Sequence, residues 1–266
     1  MKNQVHIHEP LIHAVGDIAS AVGTNLYLVG GYVRDLLRGH IGNDIDFTIE
    51  GSGVEFARIV ARKFGTQPII FERFGTAMVP VNGYKLEFVG TRKEEYAEGS
   101  RKPIVTEGTL EDDLRRRDFT VNAMAIKIGS GATGEIIDLF NGLEDLQRKI
   151  LRTPLDPITT YSDDPLRMMR AARFSAQLGF ELEPASFQAI VELRERIGII
   201  SQERISEEFL KMMAAPKPSI GLALLFESGL LELVFPEVQR LDGVDLVKAA
   251  GITYAHKNVF WHTLTV

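Results

Sequence analysis

The sequence predicts an α+β protein, in which a region of mixed strands and helices is followed by a helical region. Between Leu26 and about Arg152, short apolar runs of β-prone residues such as LYLVG, IDFTIEG and KLEFVG alternate with segments of helical spacing. After Pro157, apolar residues recur at helical spacing, as in DPLRMMRAARFSAQLGF and SQERISEEFLKMMAA. A chain of 266 residues buries roughly 75% of its unfolded surface, so hydrophobic packing is sufficient to hold such a fold.

The composition excludes several kinds of protein and site. The absence of cysteine excludes disulfide scaffolds, thiolate zinc sites and thiol nucleophiles, and it is compatible with the cytoplasmic location that we expect. The N-terminal MKNQVHIHEP lacks the apolar core of a signal peptide, and Glu227 and Glu232 interrupt the most apolar later stretch, so we expect no membrane association. A formal net charge of −6 is atypical of proteins that coat nucleic acids.

A strand, a turn and a helix follow one another in LYLVGGYVRDLLRG. Gly30 and Gly31 let the backbone approach a ligand closely, and a helix that begins there would direct free N–H groups towards a phosphate, with Arg34 one turn further on. Considered alone, the two glycines are equally typical of an ordinary tight turn.

Two aspartates alternate with apolar residues in GNDIDFTIE. A strand places Asp44 and Asp46 on the same face, about 6 to 7 Å apart, where two anions repel by about 3 kcal/mol at an effective dielectric constant of about 20. A divalent cation removes this repulsion, and oxygen ligands of this kind suit Mg²⁺. A phosphate-binding turn just upstream favours this interpretation over two solvated aspartates.

A third carboxylate, Glu87, alternates with Leu86 and Phe88 in YKLEFVGT, so it faces away from the core. From a neighbouring strand it could join the two aspartates and orient or deprotonate an attacking hydroxyl. A solvated strand glutamate explains the same pattern. Between Thr91 and Leu110, the polar run TRKEEYAEGSRKPIVTEGTL predicts one long mobile loop.

The ordered motifs GGYVRDLLRGHIGNDIDF, RRRDFTVNAMA and DDPLRMMRAARFSAQLGF resemble those of the class II tRNA nucleotidyltransferases, the CCA-adding enzymes, and of their bacterial poly(A) polymerase relatives. The resemblance implies a polymerase-beta-like head over residues 1–139, a helical neck over 140–215 and a helical body over 216–266. It also implies that Asp44 and Asp46 are metal ligands and that Glu87 is a third catalytic carboxylate. The residues that it implies bind nucleotide are Gly30, Gly31, Arg34, Arg117, Asp118, Asn122, Asp164, Arg167, Arg170 and Arg173.

The neck motif places Asp164, Arg167, Arg170 and Arg173 every three residues along one helix. A solvated basic face explains this spacing as well. Cytosine and adenine each present an amino donor beside a ring-nitrogen acceptor, so Asp164 and Arg167 together could read either base. Arg170 and Arg173 would then reach the triphosphate.

Two further segments resemble parts of the same family. In SQERISEEFLKMM, the residues Glu203, Arg204 and Glu207 are expected to form ion pairs that brace the neck. The C-terminal YAHKNVFWHTLTV resembles the opening of the HD-type metal domain that some bacterial members carry, with His262 as its first ligand. We therefore expect a truncated chain, and whether His256 and His262 belong to an HD metal site in a longer chain stays open.

The resemblance implies a Mg²⁺-dependent enzyme that extends the 3′ end of tRNA with C and A. The terminal ribose hydroxyl attacks the α-phosphate of CTP or ATP, and pyrophosphate leaves. Because the motifs are shared, a poly(A) polymerase, an enzyme that adds only CC or only A, and a non-catalytic RNA- or nucleotide-binding fragment remain alternatives. An HD phosphohydrolase is disfavoured because most HD ligands are missing from the sequence. The motifs leave the oligomeric state open.

Overall fold

The computed structural model of the chain describes residues 4–72, 75–95, 104–243, 246–249, 252–255 and 258–264. These residues form two compact units, the first running to Arg148 and the second beginning at Lys149. The finer division of the chain at 139/140 and 215/216 stays a prediction.

Unit 1 is built on an eight-stranded mixed sheet, as the alternating strands and helices of the sequence predict. Its helices are α1 (Pro10–Val22), α2 (Gly30–Leu37), α3 (Gly53–Phe64), α4 (Leu110–Arg115) and α5 (Gly142–Arg148), and a 3-10 helix covers Thr120–Asn122. Its strands are β1 (Gln4–His6), β2 (Leu26–Val29), β3 (Asp44–Ile49), β4 (Ile69–Phe71), β5 (Thr76–Val81), β6 (Tyr84–Gly90), β7 (Arg92–Glu95), β8 (Ile104–Glu107), β9 (Met124–Ile128) and β10 (Thr133–Asp138). The sheet has the order β1-β10-β9-β2-β3-β6-β5-β4, in which β3 and β6 are parallel and the other neighbours antiparallel.

The core of unit 1 fixes β3 and β6 beside each other. Phe47 of β3 stacks on Phe88 of β6 with ring centroids 5.0 Å apart, and Phe56 of α3 meets Phe88 edge-on at 5.4 Å. All three rings are buried. Because side chains alternate along a strand, the residues between these phenylalanines face the opposite side of the sheet. This packing presents the polar residues of β3 and β6 together.

The prediction of one long mobile loop from Thr91 to Leu110 is wrong at both ends. Strands β7 and β8 pair antiparallel from Arg92↔Glu107 to Glu95↔Ile104. Helix α4 then begins after a capping box, in which Thr109 and Asp112 satisfy each other's backbone N–H groups. Polar strands such as RKEE carry no apolar alternation, so backbone pairing alone defines them. Residues 96–103 of the predicted loop lie outside the described residues.

Unit 2 is mainly helical, as predicted. Its helices are α6 (Pro157–Asp163), α7 (Leu166–Leu178), α8 (Pro184–Leu193), α9 (Gln202–Met213), α10 (Pro218–Glu227), α11 (Leu230–Val234), α12 (Pro236–Gln239) and α13 (Val259–Thr263), with a 3-10 helix at Arg194–Ile199. Unit 2 also has two short strand pairs: β11 (Ile150–Leu151) with β12 (Glu181–Leu182), parallel, and β13 (Leu246–Ala249) with β14 (Ile252–Ala255), antiparallel. The β-prone run KILRT predicts β11, whereas the sequence predicts helix for the other three strands. In the described part of the chain, no helix is long and apolar enough to cross a membrane.

Helix α7 is the centre of unit 2. It ends at Gly179, which has a left-handed φ of 68° and donates its backbone N–H to the carbonyl oxygen of Ser175. Helices α9 and α10 pack against α7 so closely that a Cβ on Gly221 of α10 would lie 2.8 Å from the carbonyl oxygen of Ala172 and would overlap the side chain of Met212. The glycine therefore sets the distance between these three helices.

Candidate active site

The turn between β2 and α2 requires glycine at its first position. Gly30 has a φ of +72°, and a Cβ there would lie 2.9 Å from Nη1 of Arg117 and 3.4 Å from Oδ2 of Asp46. A side chain would therefore be strained and would collide with Arg117. The geometry brings Gly30, Asp46 and Arg117 together, and the approach of a ligand to this turn stays a prediction.

Arg34, one turn into α2, is buried and makes bonds on both sides of its guanidinium. Its Nη1 donates to Oδ1 of Asn122 at 2.8 Å, and its Nε and Nη2 donate to the carboxylate of Asp35 at 2.9 and 2.6 Å. The guanidinium also lies against Gly31, where a Cβ would be 3.5 Å from Nη2. Arg34 therefore connects the turn to the segment that carries Asn122.

Asn122 and Asp118 form the next part of this network. Nδ2 of Asn122 donates to Oδ1 of Asp118 at 2.9 Å, and the same oxygen accepts the backbone N–H of Phe119 at 2.8 Å. Both polar side chains are buried. The structure thus joins Arg34 to Asn122 and Asp118, whose roles in binding nucleotide stay predictions.

The three predicted catalytic carboxylates lie on two adjacent strands. In the parallel register of β3 and β6, Asp46 is opposite Glu87 and Asp44 is opposite Lys85. Asp44 and Glu87 are exposed, and Oδ1 of Asp44 lies 3.4 Å from Nζ of Lys85. Asp46 is the innermost member. Burial, together with the negative charges of Glu87 and Asp44, raises the pKa of Asp46 to about 6 against the opposing effect of Arg117.

These carboxylates carry more negative charge than the neighbouring cations neutralise, which suits a divalent cation. Carboxylate oxygens are the ligands that Mg²⁺ prefers, and Mg²⁺ usually binds one or two of them while keeping waters or phosphate oxygens. Asp44 and Asp46 would be the ligands. Among the described residues, no group of three or more histidine, aspartate or glutamate side chains is arranged to hold a metal ion.

Sequence reasoning missed Asp113, a fully buried aspartate of α4. It accepts bonds from Nε of Arg116 at 3.1 Å, from Nη2 of Arg117 at 3.0 Å and from Oγ1 of Thr48 at 3.4 Å. Burial alone would raise the pKa of Asp113, but Arg117 and Arg116 outweigh it and hold the pKa below its ordinary value. The available signal was its position on α4, three and four residues before two arginines that follow the helix.

In unit 2, Asp164 and Arg167 both have structural partners. Oδ1 of Asp164 accepts the backbone N–H of Leu166 at 3.2 Å, and its Oδ2 lies 3.6 Å from Nη2 of Arg204. Nη1 of the buried Arg167 donates to the carbonyl of Thr160 at 3.0 Å. These bonds hold both side chains at the start of α7.

Arg170 and Arg173 meet a glutamate that the sequence did not single out. Nε of Arg173 lies 2.6 Å from Oε2 of the buried Glu208, and Nη1 of Arg170 lies 3.8 Å from Oε1. The guanidinium of Arg173 also stacks over the ring of Phe174 at 3.9 Å. The buried side of α9 carries Ile205, Glu208 and Met212. A glutamate at an apolar position of a helix was therefore the sequence pattern that could have predicted this ion pair.

Of the three residues expected to brace the neck, only Arg204 has an ion pair among the described residues, namely the one with Asp164. Glu203 and Glu207 are exposed. His262 is also exposed, in α13, and His256 lies outside the described residues.

Comparison with known proteins places this geometry in a family. Residues 26–152 match the model of the poly A polymerase head domain, and residues 179–241 match that of the probable RNA and SrmB-binding site of polymerase A. The chain belongs to the poly(A) polymerase and tRNA nucleotidyltransferase family. The head match covers every predicted site residue of unit 1.

Members of this family with known names resemble the chain over most of its length. It is 39% identical over 212 residues to the CCA-adding enzyme of Lactobacillus helveticus, which is 79% of this chain and 51% of that protein. It is 40% identical over 176 residues to the A-adding tRNA nucleotidyltransferase of Aquifex aeolicus, which is 66% of this chain and 21% of that protein. The chain therefore spans about half or less of the length of these relatives.

Solved structures of the family also share the fold. A crystal structure of a tRNA nucleotidyltransferase complexed with a primer tRNA and an incoming ATP analogue matches with a TM-score of 0.72 at 32% identity, over 85% of this chain and 66% of that one. The likeness extends beyond the head, since the head match alone ends at residue 152.

Proposed function

We propose that this chain is a metal-dependent nucleotidyltransferase that adds C and A from CTP and ATP to the 3′ end of tRNA. The observation that carries the proposal is the group formed by Asp46, Glu87 and Asp44, with Gly30 and Arg117 beside it. This group combines negative charge for a cation with a close backbone approach and a positive side chain for phosphate. The similarity to CCA-adding enzymes supports the same activity.

In this proposal the residues of unit 1 position the triphosphate and the attacking hydroxyl. The turn at Gly30 and Gly31 offers backbone N–H groups at the start of α2, and Arg117 adds a cationic donor. Asp44 and Asp46 would hold Mg²⁺, and Glu87 would accept a hydrogen bond from the 3′ hydroxyl. Bound Mg²⁺ would neutralise charge on the phosphates and favour ionisation of that hydroxyl.

Arg34, Asn122 and Asp118 support this site through their hydrogen bonds. Arg34 donates to Asn122, and Asn122 donates to Asp118, so the carboxylate of Asp118 is held in a defined direction. We assign this pair to the sugar of the nucleotide and Arg34 to the triphosphate side of the turn. The buried network limits how far these groups can move when nucleotide binds.

The choice of base is assigned to Asp164 and Arg167. A carboxylate accepts from the exocyclic amino group that cytosine and adenine share, and a guanidinium donates to the adjacent ring nitrogen. Guanine and uracil present the reverse pattern. The ion pair from Arg204 to Asp164 supports this role because it orients the carboxylate. Arg170 and Arg173 contact Glu208, and their role in binding the triphosphate stays a prediction.

Addition of A alone is the second candidate, favoured by the 40% identity to an A-adding enzyme. Poly(A) synthesis, CC addition alone and a non-catalytic RNA-binding role are further outcomes. A protein acting on tRNA in this way would work in the cytoplasm, which agrees with its cysteine-free sequence.

The test uses tRNA transcripts that lack the last one, two or three nucleotides, each incubated with labelled CTP or ATP separately. CCA addition predicts C on the two shorter transcripts and A on the longest one. A only on the longest transcript indicates an A-adding enzyme, and long A tails indicate a poly(A) polymerase. Binding of tRNA or ATP without incorporation into any transcript would favour the non-catalytic alternative.

Variants connect this activity to the carboxylates. Asp46→Asn should reduce incorporation by at least about a hundredfold, because the cation loses a charged ligand. Asp17→Asn, on the exposed side of α1, is the matched control and should retain wild-type incorporation. Equal rates for the wild type and Asp46→Asn would refute the assignment.

A further inference from the structure

We propose that Asp113 is a positioning residue for nucleotide binding, acting through Arg117. The carboxylate holds the guanidinium of Arg117 at the rim of the site and away from Asp46. This inference rests on the proposed function, because it assigns a role within the same site.

The first support is the geometry of the carboxylate. Asp113 is fully buried, and its two oxygens serve different arginines: Oδ1 accepts from Arg116, and Oδ2 accepts from Nη2 of Arg117 at 3.0 Å. Oδ2 also accepts from Oγ1 of Thr48 at 3.4 Å. A buried carboxylate with donors on both oxygens has little freedom to reorient, so it defines where the guanidinium of Arg117 lies.

The second support is the strand to which Asp113 is attached. Thr48 lies two residues after Asp46 on β3, so its side chain leaves the sheet on the same face. Asp113 therefore connects Arg117 to the strand that carries the predicted metal ligands. A shift of α4 relative to β3 would move the cation relative to those ligands.

The third support is what surrounds the outer end of Arg117. Its Nη1 lies 3.5 Å from the carbonyl oxygen of Asn122 and 2.9 Å from the place that a Cβ on Gly30 would occupy. Its side chain is 18% exposed, whereas that of Asp113 is 0% exposed. Asp113 thus binds Nη2 of the guanidinium, while Nη1 lies beside the glycine turn.

Asp46 competes with Asp113 for this cation. The same Gly30 position lies 3.4 Å from Oδ2 of Asp46, so Arg117 and Asp46 are near neighbours. Without the charge of Asp113, Arg117 would turn towards Asp46 and pair with it. That pair would withdraw a cation from the triphosphate and cover a carboxylate that is needed for the metal.

The test measures ATP binding in the presence of Mg²⁺ by equilibrium dialysis, for the wild-type chain and for five variants. Asp113→Asn should weaken ATP binding about tenfold, as expected when a charge-assisted contact is lost. In an Arg117→Ala background the same substitution should change affinity less than about twofold, because the residue through which it acts is absent. Arg116→Gln breaks the other ion pair of the same carboxylate and should weaken ATP binding less than Asp113→Asn does, because the bond from Arg117 to Oδ2 remains. The exposed control Glu111→Gln should stay within about twofold of the wild type.

The outcomes separate positioning from general support of the fold. If Asp113→Asn weakens ATP binding equally with and without Arg117, or if Arg116→Gln weakens it as much, Asp113 acts only structurally and the inference is wrong. If Asp113→Asn does not fold, Asp113→Glu replaces it in the same cycle. Glutamate keeps the charge but displaces the carboxylate from Arg117, so we expect a smaller weakening of ATP binding, and again only when Arg117 is present.

Incorporation assays on the same proteins distinguish this inference from the proposed function. If the wild-type chain binds and incorporates ATP but Asp113→Asn binds ATP with wild-type affinity, the inference is wrong and the proposed function stands. A wild-type chain that neither binds nor incorporates ATP would overturn both.

Discussion

Glu208 is a buried charged residue of unit 2 whose replacement should lower stability strongly. It lies on the buried side of α9 with a side-chain exposure of 6%, and its partner Arg173, at 2.6 Å, has an exposure of 11%. Glu208→Gln keeps the shape of the side chain but removes its charge. Arg173 would then be a buried cation without a full counter-charge, while it remains stacked on Phe174.

The magnitude follows from the burial of each pair. Breaking a buried ion pair by altering one partner costs about 3–5 kcal/mol. The contacts of Glu208 with Arg170 and Lys211, whose side chains are 33% and 58% exposed, belong to the class worth about 1 kcal/mol or less. Since glutamine still offers an oxygen to Arg173, we expect a loss of about 3 kcal/mol, which is roughly a 150-fold change in the unfolding constant.

Urea unfolding followed by tryptophan fluorescence measures this loss of stability in unit 2. The chain has a single tryptophan, Trp261 in α13, whose ring lies 5.3 Å from that of Phe226 in α10. Its fluorescence therefore reports on unit 2. The midpoint should fall while the dependence on urea stays constant.

Glu207→Gln provides the matched control, since Glu207 is the preceding residue of α9 and is exposed. Its free energy of unfolding should stay within about 0.5 kcal/mol of the wild type. If Glu208→Gln differs from this control by less than about 1 kcal/mol, the reasoning from burial is wrong and the pair does not brace α7 against α9.

Two further predictions concern unit 1. Gly30→Ala should destabilise the fold by more than Gly23→Ala. Both glycines have a φ of +72°, so both variants share a backbone strain of about 1–2 kcal/mol, but only the new Cβ at Gly30 meets Arg117. Thermal melts of the two variants compare their stabilities. The lowered pKa of Asp113 means that its contribution to stability is present above the ordinary aspartate pKa of about 3.9 and is lost as the pH falls through the lower pKa of the folded state. The difference in unfolding free energy between wild type and Asp113→Asn should therefore shrink below pH of about 4, and an undiminished difference there would contradict the ion-pair explanation.

The local features of the site could be predicted because each depends on neighbours in sequence. The alternation in DIDF predicts that Asp44 and Asp46 share a face, and two glycines between an apolar run and a helix predict the close turn at Gly30. Both follow from the repeat of a strand or from backbone freedom. The polar strands β7 and β8 show the limit of this reasoning, since they lack the alternation on which it depends.

The tertiary structure decided which of these features meet. The register that sets Asp46 opposite Glu87 depends on Phe47 and Phe88 packing in one core, and the bond from Arg34 to Asn122 joins residues 88 positions apart. No local period encodes such pairs, because loop closure and packing choose them from many alternatives of similar local propensity.

Asp113 and Glu208 illustrate the same division. From the sequence they are ordinary charged residues of amphipathic helices, and only burial makes them centres of ion pairs. A carboxylate becomes decisive when water is excluded from it, since desolvation then makes each partner essential. The sequence by itself thus determined the chemical groups and their local order, whereas the tertiary structure decided which charges lose their water and must therefore hold one another in place.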